Sequence, residues 1–288
     1  MRFADMNSGS NFYEIVNGRM VECNTLLFDA QNRAFRYGDG VFETICVRNK
    51  KPLFLSDHWS RLVNSLQLLG IPLPGNLNSA ALQQSIADLV LRNKQQHCRM
   101  RLIIYRVAEG LYAPLNSDSA WHLSVTGSIA AVYSIAPNGL LADVFEADYK
   151  SRGMLSNLKT LSALLYIAAG MEASRKGMDD LLIKNDLNHF VESTNSNLFL
   201  RKENHFITPP LTEGCLDGVM RKQVIRLLLE QGLSLSEQPL LEQDLNDAEE
   251  LILTNVIRGA VSVVSFKEKQ YSNRFSGMIN EWLNNDVI

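Results

Sequence analysis

Strand-like and helix-like hydrophobic patterns are interleaved along the whole chain, and this restricts the fold more than any other feature of the sequence. Strands are predicted over 12–16 and 19–23, joined by the turn signal Asn17-Gly18, and over 41–47, where β-branched and aromatic residues cluster. Residues 49–52 turn the chain into 53–55. Ser56 or Asp57 can then cap a helix running to about Leu69, with Leu62, Leu66 and Leu69 apolar. A second helix is predicted over 80–92, followed by strands over 99–106 and 121–125. The second half opens with a helix over 158–174 whose Leu161, Leu164, Leu165 and Ala168 share a face, with Gly177 as its stop signal. Strands follow over 181–184, 189–192, 197–201 and 206–208. Next comes a helix from near Gly218, capped by Asp217, that buries Met220, Val224, Leu227 and Leu228, then a strand over 251–254 and a terminal helix. Both halves mix the two element types, which predicts an α/β or α+β chain in two domains. The small residues, Pro137 and Asn138-Gly139 place a linker at 126–138, between a smaller domain over 1–125 and a larger one over 139–288.

With 288 residues, 46% of them hydrophobic, the chain can bury a sizeable core. A net charge of −3 gives no electrostatic reason to expect nucleic acid or a membrane surface as partner. Cys23, Cys46, Cys98 and Cys215 are scattered, which speaks against a disulfide framework or a zinc site. The five histidines lack the i,i+4 pairing of a helical metal site, so no metal is expected. No apolar run approaches the roughly 18 to 20 residues that span a bilayer. Residues Met1 to Asp5 lack the apolar stretch of a signal peptide, so the sequence predicts a cytoplasmic protein.

Several segments carry residues suited to chemistry. Lys159 sits beside Leu158 and Leu161, and reads either as a solvated lysine or as an amine desolvated enough to bond an aldehyde. Glu192 precedes the polar run Ser193-Thr194-Asn195-Ser196-Asn197. It reads either as a solvated strand residue or as a carboxylate that keeps a pyridine nitrogen protonated. The loop from Thr208 to Asp217 leads into the helix at Gly218 and Val219, where open N–H groups favour a phosphate if one is bound. Arg61 can supply a guanidinium to such a group or lie on a solvated face. Thr254-Asn255 offers a hydroxyl and an amide, or simply a turn. The glycine-flanked segment from Tyr37 to Thr44 is either a structural turn or part of a site.

In this order, from about Arg33 to about Val264, these segments resemble the fold type IV pyridoxal-phosphate enzymes, the class IV aminotransferases. The resemblance implies the two-domain fold of D-amino acid aminotransferases, with pyridoxal 5'-phosphate in a cleft between the domains, and a homodimer acting on a small-molecule amine. It implies Lys159 as the Schiff-base lysine and Glu192 as the partner of the pyridine nitrogen. Arg61, the backbone at Gly218 and Val219, and Thr254-Asn255 are implied to bind phosphate. Leu164 stands where branched-chain enzymes carry tyrosine, Thr44 where they carry glycine, and Ala108 where D-amino acid enzymes carry histidine. Thr44, Arg106 with Glu109-Gly110-Leu111-Tyr112, and Thr254-Asn255 are most similar to the 4-amino-4-deoxychorismate lyases of the family. Their expected activity releases 4-aminobenzoate and pyruvate; a transaminase using 2-oxoglutarate is the alternative. Arg106, and second to it Arg258, are then expected to read a substrate carboxylate, with Thr44 and Tyr37 at the substrate.

Overall fold

The structure is a computed structural model that describes residues 12–23, 30–134 and 138–287. The residues read for a signal peptide, and Pro137 of the expected linker, lie outside the described residues. The chain forms two compact units: residues 1–131 with 159–162, and residues 132–158 with 163–288.

The first unit contains β1 (Tyr13–Val16), β2 (Arg19–Glu22), α1 (Arg33–Tyr37), β3 (Gly40–Arg48), β4 (Lys51–Pro52), α2 (Leu55–Leu69), α3 (Ser79–Arg92), β5 (Cys98–Val107) and β6 (Asp118–Ser128). Its sheet runs β2-β1-β6-β5-β3-β4, and every pairing within it is antiparallel. The period-2 alternation of β3 and β5 gives the sheet two unlike faces. Val41, Ile45, Met100, Leu102, Ile104 and Leu123 enter one core with Leu62, Leu66, Leu82, Ile86 and Leu89 from the two longer helices. Along α2 the buried positions are His58, Arg61, Leu62, Ser65 and Leu66, a single helical stripe. Phe42, Thr44, Arg101, Ile103 and His122 alternate with that core and are half-buried on the opposite face.

Helix caps differ from expectation. Phe54, in the left-handed region at φ 53°, precedes α2, and no side chain caps that helix. For α3 the cap is Asn78, whose side chain accepts from the Ala81 N–H.

The second unit contains β7 (Leu140–Lys150), α4 (Leu164–Lys176), β8 (Asp180–Asn185), β9 (Phe190–Ser193), β10 (Asn197–Lys202), β11 (His205–Thr208), α5 (Val219–Glu230), β12 (Ser234–Glu237), α6 (Glu242–Asp247), β13 (Glu250–Asn255), β14 (Gly259–Phe266), β15 (Lys269–Gln270) and α7 (Arg274–Val287). Its sheet runs β12-β11-β10-β13-β14-β7-β8-β9, mixing parallel and antiparallel pairs, with β15 attached to β14. Leu182, Phe190, Leu198, Leu200, Leu251, Leu253 and Val263 build its core.

Two expectations need correction. The helix predicted from Leu158 begins at Leu164, because residues 159–161 pair with β3 instead; it closes on Gly177 at φ 68°, as the stop signal implied. Asp217 does not cap α5, whose N-cap is Gly218 with no side-chain cap. The boundary between the units, at 131/132, falls within the stretch 126–138 read as a linker; there β6 extends to Ser128, and Tyr133 is buried with its hydroxyl donating to the Val256 carbonyl at 2.9 Å.

Candidate active site

In the first unit, Lys159 lies on a short stretch that adds to the open edge of β3. The Phe42 N–H donates to the Lys159 carbonyl at 2.9 Å, the Leu161 N–H donates to the Gly40 carbonyl at 3.0 Å, and Thr160 bridges Val41. Glycine is needed at position 40, since a Cβ there would stand 2.6 Å from the Ile104 carbonyl oxygen. This pairing sets the lysine side chain on the half-buried face of the sheet, with Nζ 4.5 Å from the centre of the Phe42 ring. The Arg101 guanidinium lies over the same ring at 3.8 Å. Burial, and Arg99 nearby, push the Arg101 pKa below its usual value. Thr44 stands directly across from Arg101 in the β3–β5 register, on the face that carries Phe42.

On the other face, Glu43 is buried beneath α2. Arg61 meets it with Nε at 2.8 Å and Nη2 at 2.5 Å, and His58 Nδ1 lies 2.6 Å away. Burial alone would raise the Glu43 pKa, but the guanidinium and the imidazole outweigh it and hold the carboxyl at about 2. His58 Nε2 is buried without a partner among the described residues.

Arg106, expected to read a substrate carboxylate, is held by neighbouring groups of its own unit. Its Nε donates to Asp39, Nη1 to the Gly70 carbonyl and Ser117 Oγ at 2.7 and 2.8 Å, and Nη2 to the Leu69 carbonyl at 2.7 Å. These bonds tie β5 to the end of α2 and leave the guanidinium buried with its three nitrogens engaged. Arg33 shares Asp39 and holds the Gly110 and Leu111 carbonyls. Tyr37 packs its ring against Tyr112, centroids 5.5 Å apart.

In the second unit, Glu192 on β9 faces Asn197 on β10, which in turn faces Thr254 on β13. The Glu192 carboxylate accepts from Lys150 Nζ and from the Tyr166 hydroxyl (2.7 Å) on Oε1, and from the Leu216 N–H (2.7 Å) on Oε2. Asn197 Nδ2 donates to the Leu216 carbonyl at 2.9 Å, and its Oδ1 would lie only 1.8 Å from a Cβ at Gly218. The backbone at the start of α5 therefore comes right up to the side chain between Glu192 and Thr254. Thr254 Oγ1 is 1% exposed at the residue level and has no partner among the described residues. An orphaned hydroxyl and an α5 N-terminus without a side-chain cap suit a phosphate.

Two expected contributors are otherwise engaged. Asn255 Oδ1 accepts from the Ile257 and Arg258 N–H groups, and its Nδ2 donates to Asn195 and Ser196, so it shapes the turn after β13. Arg258 donates to Asn195 Oδ1 at 2.8 Å and faces Asp180 at 3.7 Å, which makes it a brace for that loop.

The sequence reading missed Arg101, Lys150 and Tyr166. Arg101 was detectable, because it alternates with the apolar residues of β5 and must face opposite to them. Lys150 follows four exposed residues in β7, and its partner lies 42 positions away, so no local pattern marks it.

Residues 40–266 match the amino-transferase class IV family, and the chain belongs to it. Among its relatives is a putative branched-chain-amino-acid aminotransferase of Methanocaldococcus jannaschii, 26% identical over 93% of this chain and 92% of that protein. Another is an aminodeoxychorismate lyase of Vibrio harveyi, 25% identical over 86% of this chain and 94% of that protein. A solved putative 4-amino-4-deoxychorismate lyase of Legionella pneumophila superposes with a TM-score of 0.81 at 27% identity, over 92% of this chain and 97% of the other. The family works with pyridoxal phosphate on small-molecule amino substrates, and this chain is one of its pyridoxal-phosphate-dependent enzymes. No described helix is long and apolar enough to cross a membrane.

Proposed function

We propose that the chain is a 4-amino-4-deoxychorismate lyase, forming 4-aminobenzoate and pyruvate for folate synthesis. Bound pyridoxal phosphate supplies an aldehyde for an imine and a protonated ring that withdraws electrons. Lys159 holds that aldehyde and, once released by the substrate amine, takes the proton from the substrate carbon bearing nitrogen. Glu192 partners the pyridine nitrogen. Thr254 and the backbone at Gly218 and Val219 hold the phosphate, whereas Arg61, expected there from the sequence, is committed to Glu43 within the first unit.

The observation that carries the lyase reading is the half-buried sheet face on which Phe42, Thr44 and Arg101 lie with Lys159. Arg101 takes over the carboxylate role first given to Arg106. The Thr44 hydroxyl donates a hydrogen bond to the departing enolpyruvyl oxygen, and the proton that Lys159 took from the substrate carbon passes to the leaving group. A transaminase has no leaving group to protonate at that position.

The test is product analysis. Aminodeoxychorismate should yield 4-aminobenzoate and pyruvate, whereas amino acids with 2-oxoglutarate should yield little glutamate. Glutamate without 4-aminobenzoate overturns the lyase in favour of a branched-chain or D-amino acid transaminase. Borohydride reduction followed by peptide mapping should place the cofactor on Lys159, and a tag elsewhere rejects the site.

The proposal includes a homodimer. On α4, Leu164, Ile167 and Met171 are 76, 54 and 62% exposed and share one face, an apolar stripe suited to a second copy. Light scattering on the eluting protein should give twice the chain mass, and a monomer at working concentration removes this part.

A further inference from the structure

Lys150 is the last residue of β7, beyond a register irregularity that follows Phe145, and it is buried after the four exposed residues 146–149. A lysine turned inward in this way is rare unless it is paired. Its ammonium donates to Glu192 Oε1 and, at 2.7 Å, to the Tyr166 hydroxyl, which itself donates to the same Oε1.

We infer that Lys150 is a positioning residue that keeps Glu192 a carboxylate, so that the proton shared between this carboxylate and a pyridine nitrogen resides on the nitrogen. The inference rests on the proposed function for the pyridine; what it adds is the residue that decides where the proton sits. An ionised carboxylate has about four acceptor positions. Lys150 and Tyr166 occupy both on Oε1, and the Leu216 N–H occupies one on Oε2. One acceptor position remains for an incoming N–H.

The surrounding titratable groups leave the lysine as the deciding charge. Burial first, and the Glu192 charge next, raise the Tyr166 pKa, so its phenol stays neutral. Burial pushes the Cys215 thiol up to about 12, so it is neutral as well. Arg221 donates to Glu237, at 2.5 Å. Without the ammonium, this buried carboxyl keeps only the Tyr166 hydroxyl and the Leu216 N–H as partners, and the proton it shares with the ring nitrogen can pass to it. A carboxyl so protonated donates its hydrogen to an unprotonated pyridine, and that ring is a weaker electron sink.

The experiment compares wild type with Lys150→Met and Lys150→Arg in two forms. In holoprotein carrying pyridoxal phosphate labelled with 15N in its ring, the nitrogen shift should read protonated in wild type and in Lys150→Arg. It should move toward the unprotonated value in Lys150→Met. In cofactor-free protein carrying 13C-labelled glutamate, with the signal assigned through Glu192→Gln, the Glu192 carboxyl should read ionised in wild type and move toward the protonated form in Lys150→Met. If Lys150 only supports the fold, Lys150→Met lowers the melting temperature but shifts neither signal, and that result overturns the inference. Wild type that forms no imine at Lys159 refutes the proposed function instead, and the 13C comparison then decides on Lys150 without any cofactor.

Discussion

Arg61 meets Glu43 with two nitrogens of its guanidinium, at 2.8 and 2.5 Å, on the side of the sheet where every neighbouring strand position is apolar core. Such a pair holds an uncompensated buried charge as soon as one partner is removed. Glu43→Gln should therefore cost about 3 kcal/mol or more, measured by urea denaturation at neutral pH.

The same pair gives an acid limb to the stability curve. The folded pKa of Glu43, about 2, lies below its ordinary value of 4.5, so its stabilisation is complete above the ordinary value and declines as pH falls toward 2. Wild type should lose stability across that window more steeply than Glu43→Gln. Parallel curves would show that Glu43 does not carry this dependence.

Arg106 and Arg101 should separate cleanly. Arg106→Ala strands the Leu69 and Gly70 carbonyls and should cost about 3 kcal/mol of unfolding free energy, with KM unchanged in the protein that remains folded. Arg101→Ala should leave the melting temperature near wild type and raise KM for aminodeoxychorismate by about tenfold to a hundredfold. The reverse pattern would return the carboxylate role to Arg106.

Thr254→Val has two opposite expected effects. Removing a buried hydroxyl that lacks a partner should leave the cofactor-free protein as stable as wild type, or more stable by about 1 kcal/mol. Losing a phosphate donor should weaken pyridoxal phosphate binding by about tenfold. Thermal melts with and without cofactor read both effects at once, and equal cofactor-induced shifts in the two proteins would exclude Thr254 from the phosphate site.

Gly218→Ala tests the approach of α5 to Asn197. The added methyl cannot share space with Asn197 Oδ1, so the amide must swing away from the Leu216 carbonyl. A loss of about 1–3 kcal/mol in stability is expected, together with weaker cofactor binding by fluorescence titration. A variant that matches wild type in both would show that Asn197 moves freely.

The mixed architecture was legible because strand and helix periods are strong in this chain, as in the alternation of β3 and the stripe on α2. Lys159 and Glu192 were singled out by resemblance, not by any local pattern. The start of α4 was misread because the apolar residues Leu158 and Leu161 fit a helical period, while the tertiary pairing of residues 159–161 with β3 overrides that local signal. The partners of Arg106 were hidden for a related reason. A sequence shows that an arginine is present, but not that the Leu69 and Gly70 carbonyls, at the end of a helix 36 and 37 positions away, already hold its donors. Strand β7 and its terminal lysine escaped notice because Lys150 becomes meaningful only through Glu192.

Because residues 159–162 fold with the first unit while the chain on either side belongs to the second, the gene cannot be cut at the 131/132 boundary without loss. A front fragment would be left with the bare backbone of Gly40 to Phe42, an unpaired edge open to aggregation. A rear fragment would carry the reactive amine with no strand to dock against. Activity from separately expressed halves would require the rear piece to thread its lysine back onto a sheet made by the other.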